Sequence, residues 1–211
     1  MALKNCFVIG LSGTTNSGKT TLSSMLCKNL PNSSNICQDH YFYGPNDPRV
    51  RRDEDGKQNW EELQAMDMDQ MMKDVHSWIK ENKNSLERSY LIIEGFLIFN
   101  HRPLASLFDK KFFIKIDRET CAERRRVVKD IICLMVFADI NLNFTFAFFF
   151  VMISKRTYNP PDYPGYFENK VWPMYLKNLE DIQDQTDIEY LPETNDLQGM
   201  FHYLQKIITG L

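Results

Sequence analysis

Gly13-Thr14-Thr15-Asn16-Ser17-Gly18-Lys19-Thr20 decides how this chain is read. The stretch fits G-x-x-x-x-G-K-[ST], a phosphate-binding loop, and both of its flanks agree. Upstream, Cys6 to Gly10 is a short apolar run of the size of a buried strand. Downstream, Leu22, Met25, Leu26 and Leu30 recur at helical spacing, so the loop joins a strand to a helix. Glycines let the backbone curl around an anion with its N–H groups pointing inward. The N-terminus of the following helix adds partial positive charge. Lys19 can reach outer phosphates, and the Thr20 hydroxyl is placed to ligate Mg²⁺. Residues from Gly13 to Thr21 are therefore expected to hold a nucleoside triphosphate.

The composition sets bounds around that loop. With 211 residues, 43% of them hydrophobic and 25% charged, the chain can bury one sizeable core and carry a small lid. A net charge of -3 gives no general pull toward nucleic acid or an anionic membrane. The five cysteines (Cys6, Cys27, Cys37, Cys121 and Cys133) are odd in number and lack C-x-x-C spacing, which fits a reduced, cytoplasmic setting. Met1 to Asn5 runs straight into the first strand, leaving no room for a signal or transit peptide. No internal repeat is visible, and no oligomeric state is assigned.

Taken in order, the chain alternates strand and helix. After a turn at Pro31, Asn35 to Gln38 reads as a short strand ending at Asp39. Ligands of open α/β sheets sit at the carboxyl ends of strands, so Asp39 is expected to face the nucleotide. A carboxylate there can hold Mg²⁺ or accept a proton from an attacking hydroxyl. The alternative is a turn or helix cap. Its place on the next strand after the phosphate loop favours the functional role.

Residues 44–58 are polar, broken by proline and glycine, and read as a mobile surface loop. Trp60 and Glu61 follow it. An aromatic beside a carboxylate can stack a flat ring and hold sugar hydroxyls, or it can anchor a helix start; composition does not separate the two. Asp67 to Asn82 is the clearest helix, with Met68, Met71, Met72, Val75, Trp78 and Ile79 in one apolar stripe. Asp67 with Gln70 resembles a capping box, and His76 reads as a solvated or satisfied histidine.

Tyr90 to Phe99 reads as a buried strand carrying one carboxylate, Glu94. A lone charge in such a run is costly, so Glu94 should meet a cation or water at the strand's end, Mg²⁺ through water being the obvious one. Lys111 to Ile116 is another strand, and Asp117 can cap a helix from Arg118 to Arg126. That helix ends in Arg124, Arg125 and Arg126, which either complement the helix dipole or neutralise a transferring phosphate from a lid. Val171 to Leu176 begins a helix with Pro173 in its first turn. Ile188 to Leu191 is a last strand, and Leu197 to Ile208 a last helix. The alternation predicts an α/β fold: a parallel sheet with helices on both faces and a small lid.

Gly10 to Thr21, Gln38-Asp39, Ile93-Glu94-Gly95-Phe96, Arg124–Arg126, Pro160-Pro161-Asp162, Pro164-Gly165-Tyr166-Phe167 and Val171-Trp172-Pro173-Met174-Tyr175 stand out together. They closely resemble the nicotinamide riboside kinases, small members of the uridine kinase and phosphoribulokinase group of P-loop kinases. The likeness spans one P-loop kinase domain over residues 1–211, except for about 127–153. It implies transfer of the ATP γ-phosphoryl to the ribose 5′-hydroxyl of nicotinamide riboside, giving nicotinamide mononucleotide for NAD synthesis. Asp39 then resembles the general base and a metal-site acid, beside Lys19 as the phosphate-binding lysine. Thr20 resembles the Mg²⁺ ligand and Glu94 an acid near the metal. Trp60 and Tyr158 resemble the pair sandwiching the nicotinamide ring, and Glu61 matches an aspartate that holds the ribose hydroxyls. Arg125 and Arg156, with Thr157 and Tyr158, resemble lid residues on ATP. Arg126, His40, Tyr41, Phe42 and Asn159 fall on the substrate side. Three departures stand out. Glu61 is one methylene longer than aspartate, His40 replaces a second acid, and Pro192 to Asn195 keeps little of the family pattern. A uridine or cytidine kinase of the same fold is the nearest alternative, and a non-catalytic nucleotide-binding protein the next.

Residues 127–153 interrupt the lid region, 118–158. Removing them would join Arg126 to Ser154 and restore a continuous Arg-Arg-Arg-Ser-Lys-Arg-Thr-Tyr. The segment is long enough to span a bilayer, but Asp139, Asn141 and Asn143 sit in its middle. Three origins are open: a span, a partner-binding insertion, and a translated retained intron. The last is favoured, because the segment begins with valine, whose codons start with GT, and ends in phenylalanine-rich, hence pyrimidine-rich, coding sequence. A long apolar segment in a lid must find cover or promote aggregation, so this form is expected to be poorly soluble and weakly active.

Overall fold

A computed structural model describes residues 5–54, 56–126, 162–191 and 196–210. Five strands form one fully parallel sheet in the order β2-β3-β1-β4-β5. They are β1 (Cys6–Gly13), β2 (Ser33–Cys37), β3 (Ser89–Glu94), β4 (Lys110–Ile114) and β5 (Ile188–Leu191). The helices are α1 (Lys19–Asn29), α2 (Met68–Asn82), the short α3 (Arg102–Ala105), α4 at residues 118–126, α5 (Trp172–Glu180) and α6 (Leu197–Thr209). The expected α/β fold is present.

Alternation along the central strands feeds two separate cores. Val8, Leu91, Ile93 and Phe113 pack with Leu97, Ile98, Phe99 and the Met68–Met71–Val75 stripe of α2. Ile9, Leu11, Ile92, Phe112 and Ile114 pack on the other face with Leu22 and Leu26 of α1 and Phe201, Leu204 and Ile208 of α6. A third, smaller cluster joins Ile116 and Cys121 to Tyr166, Phe167 and Val171, with Trp60 against it. His76 is exposed, as its reading as a solvated residue required.

The β2 strand runs from Ser33 to Cys37, two residues earlier at its start than expected and without Gln38, which opens a 3₁₀ turn. Further boundaries and one cap also differ from the sequence-based expectation. The run expected as a strand from Tyr90 to Phe99 leaves the sheet after Glu94. Buried Gln38 accepts the Leu97 N–H at 2.9 Å, so a side chain replaces the ladder partner there. Residues 97–99 stay apolar because they are core loop. The β4 strand stops at Ile114, and Ile116 N–H turns to the Thr14 hydroxyl. At the start of α2, Asp67 accepts the Gln70 N–H at 2.9 Å, but Gln70 bonds Asp74, and Asp67 N–H goes to Tyr41 O; the capping box is half formed. Ahead of α5, a π-helical turn spans Phe167–Val171, so the helical stretch begins before Val171. Pro173 has no N–H and crowds the carbonyl four residues back, and the wider turn accommodates it. Asp117 does cap α4, accepting Thr120 N–H at 2.7 Å.

Candidate active site

The phosphate loop leaves β1 at Gly13, whose φ of 144° belongs to glycine. A Cβ there would lie 2.3 Å from Ile114 O, because the loop passes directly over the end of β4. Asn16 (φ 58°) and Gly18 (φ 95°) complete the curl, asparagine being one of the few residues that adopt the left-handed region readily. Lys19 is buried and donates to Gly13 O at 3.1 Å and Thr14 O at 2.8 Å, folding back over its own loop. Its ammonium is thus held where phosphate oxygens can replace carbonyls. Thr21 is half-buried on the first turn of α1.

Thr20 Oγ1 donates to Glu94 Oε1 at 2.9 Å, drawing together the first turn of α1 and the end of β3. Glu94 is fully buried, and its other oxygen, Oε2, has no hydrogen-bond partner among the described residues. An orphaned carboxylate oxygen beside a threonine hydroxyl fits a hydrated divalent cation. Among the described residues no group of three or more His, Cys, Asp or Glu forms a cage. Mg²⁺ in phosphoryl-transfer sites is typically held by one or two protein groups together with substrate phosphates, so such a cage is not required.

Asp39 lies in a single 3₁₀ turn (Gln38–Tyr41) at the carboxyl end of β2, fixed by the buried Gln38 before it. Burial raises the Cys37 thiol pKa, and the Glu94 and Asp39 carboxylates raise it further, so the two acids converge on this point. The neighbours of Asp39 divide. His40 is exposed, and Phe42 stacks on Phe96 at 6.2 Å and meets Trp60 edge-on at 6.0 Å. Tyr41 gives its hydroxyl to Asp74 of α2 at 2.8 Å, an anchoring bond that its assignment to the substrate side did not foresee.

Glu61, Gly13 and Thr15 line one small, mainly apolar cavity with Phe96, Phe113 and Val171, so Glu61 lies near the phosphate loop. Burial pushes its carboxyl up to about 7, against the pull of the Arg125 guanidinium and the Tyr166 hydroxyl. Tyr166 Oη donates to Glu61 Oε1 at 3.3 Å, and Asn178 Nδ2 of α5 to Glu61 O at 3.0 Å.

The α4 helix is stapled to the phosphate loop. Cys121 Sγ donates to Thr15 O, Arg124 to Asn16 O at 3.2 Å, and Arg125 Nη1 to the Thr15 hydroxyl at 3.4 Å. Arg125 is buried in a two-pronged pair with Asp162, at 2.6 and 3.0 Å. Arg126 is exposed and paired with Glu123 at 2.8 Å. The structure thus brings the phosphate loop, Thr20, Glu94, Asp39, Glu61 and Arg125 together, whereas Arg126 and His40 lie at the surface. Arg156, Thr157, Tyr158, Asn159, the segment 127–153 and residues 192–195 lie outside the described residues. Cys121, Asp162, Tyr166, Tyr175 (which hydrogen-bonds Thr14) and Asn178 were not assigned roles from sequence. Asp162, Tyr166 and Tyr175 lay in motifs already singled out, and that was the available signal.

Human nicotinamide riboside kinase 1 is 36% identical over 205 residues, covering 92% of this chain and 88% of that protein. The chain belongs to the nicotinamide riboside kinase family. Mouse nicotinamide riboside kinase 2 is 33% identical over 208 residues, with 92% and 91% covered. A protein-family model described as an AAA domain matches residues 9–128, a span that begins within β1 and includes the phosphate loop. A uridine kinase of Chlamydia pneumoniae is 27% identical over 154 residues, with 62% of this chain and 67% of that protein covered. The family's members thus match across the chain, while the pyrimidine kinase matches a part of it.

Proposed function

We propose that this chain transfers the γ-phosphoryl group of ATP to the ribose 5′-hydroxyl of nicotinamide riboside, producing nicotinamide mononucleotide. The observation that carries this reading is the Thr20–Glu94 hydrogen bond joining the phosphate loop to the carboxyl end of β3, in a chain 36% identical to human nicotinamide riboside kinase 1.

Each residue has a role in that reaction. Lys19 exchanges the carbonyls of Gly13 and Thr14 for phosphate oxygens, and the loop N–H groups of residues 13–21 surround the β-phosphate. Thr20 and Glu94, with Asp39, would hold Mg²⁺, through the Thr20 hydroxyl and the second Glu94 oxygen. When bound there it would neutralise charge on the transferring phosphoryl group. Asp39 takes the 5′-hydroxyl proton as the oxygen attacks phosphorus. Glu61 accepts hydrogen bonds from the ribose hydroxyls, and Trp60, with Tyr158, faces the cationic nicotinamide ring, for which an aromatic face is a favourable partner. Arg125, already against Thr15, stabilises charge spreading onto the phosphate oxygens; Arg156 and Thr157 serve ATP, and Arg126 and Asn159 the substrate. The whole chain acts as one kinase domain, and we place it in the cytoplasm; among the described residues no helix is long and apolar enough to cross a membrane.

The test is phosphorylation of nicotinamide riboside by wild-type chain and by Lys19→Ala, which should lose turnover. Equal turnover by Lys19→Ala would overturn the reading.

A further inference from the structure

The sequence singles out Pro164-Gly165-Tyr166-Phe167, and the reaction described above leaves it without a task. Gly165 has φ 79°, a left-handed conformation that reverses the chain into the helical stretch, and Asn169 N–H closes the turn on Gly165 O at 2.9 Å. This delivers Tyr166 into the third core cluster, where it is 5% exposed. Tyr163 meets its ring edge-on at 5.1 Å, and the Arg125 guanidinium lies 5.9 Å from its centroid. A buried phenol needs a partner for its O–H, and this one reaches Glu61 Oε1 at 3.3 Å.

We propose that Tyr166 is a positioning residue for the acceptor site, its buried hydroxyl fixing the Glu61 carboxylate in the orientation that receives the sugar hydroxyls. The inference rests on Glu61 facing the acceptor. It supplies a physical reason for a glutamate where the resemblance leads one to expect aspartate. The residue is held at two points, its backbone carbonyl by Asn178 and one carboxylate oxygen by Tyr166, and the second oxygen is the one assigned to ligand. An unsteadied glutamate would lose rotamer freedom on binding, and pre-organisation lowers that cost. Asp162 completes the frame by holding Arg125 beside the same ring.

The test is calorimetric titration of the full chain with nicotinamide riboside, and separately with Mg·ATP, for wild type, Tyr166→Phe, Glu61→Ala and the double variant. Phenylalanine keeps the ring in its cluster and removes the donor. Loss of one such bond should weaken riboside binding about five- to tenfold and leave Mg·ATP binding within about twofold. In the Glu61→Ala background, Tyr166→Phe should have no further effect. Unchanged riboside affinity in Tyr166→Phe, an equal loss in both backgrounds, or a matching loss of Mg·ATP affinity would overturn the positioning role. If Glu61→Ala itself leaves riboside affinity unchanged, Glu61 does not face the acceptor and the premise fails instead.

Discussion

Asp39 gains its position from its neighbour. Gln38 is fully buried between Leu97 N–H and Met68 Sδ, so the carboxylate one residue later is held at the end of β2. A base that removes the 5′-hydroxyl proton contributes typically about 10²–10⁴-fold in rate. Asp39→Asn should therefore lower kcat by that order while riboside binding persists, as steady-state kinetics beside calorimetry would show. Glu61 sets a pH dependence. With its carboxyl pushed up to about 7 by burial, it is protonated at pH 6 and ionised at pH 8. Riboside affinity should rise across that interval, and Glu61→Gln should flatten the profile. Stability moves the other way. The folded protein retains a proton that the unfolded chain releases near 4.5, so this contribution is full below that value and is lost as pH rises through about 7. Thermal melts at pH 5 and 8 would show it, with Glu61→Gln reducing the difference.

At the scale of the element, the exit of β3 is a tight junction near the site. Glu94 pairs in register with Leu11 on one side and Cys37 on the other, and Gly95 follows. A Cβ at Gly95 would sit 2.4 Å from Gln38 Cβ, a contact that must displace Gln38 and with it the turn bearing Asp39. Overpacking of this kind costs about 1–3 kcal/mol. Gly95→Ala should lower both the melting temperature and kcat, more than Gly44→Ala, whose Cβ would meet nothing within 4 Å. This junction also marks what sequence could and could not supply. The phosphate loop was legible because its chemistry demands fixed residues at fixed spacing, and α2 because its apolar stripe has one period. The end of β3 was not, because Leu97, Ile98 and Phe99 are as apolar as a strand and their departure depends on a glutamine 59 residues away. Asn178 was invisible for the same reason, since it acts on the backbone of Glu61 across 117 residues.

For the molecule as a whole, the parallel sheet places Asp39 and Glu94 at the carboxyl edge, where ligands of such sheets bind. The α4 helix is stapled to Thr15 and Asn16, and residues 127–153 follow its described part in the chain. If those residues separate lid arginines that work together, a chain lacking 127–153 should be more soluble and more active than the full chain. Equal specific activity of both forms would show that the segment is tolerated. Sequencing of the mature transcript bears on its origin: a retained intron requires most messages to lack the segment, and reads running unbroken through it in most messages would refute that origin. The measurement that tests the central claim most directly is Mg·ATP-dependent phosphorylation of nicotinamide riboside against uridine and cytidine, with both forms of the chain. A riboside kinase should favour nicotinamide riboside in kcat/KM by at least about tenfold, since an aromatic–acid wall leaves the polar edge of a pyrimidine unpaired. Preference for a pyrimidine nucleoside, or ATP binding with no turnover of any of the three, would contradict it.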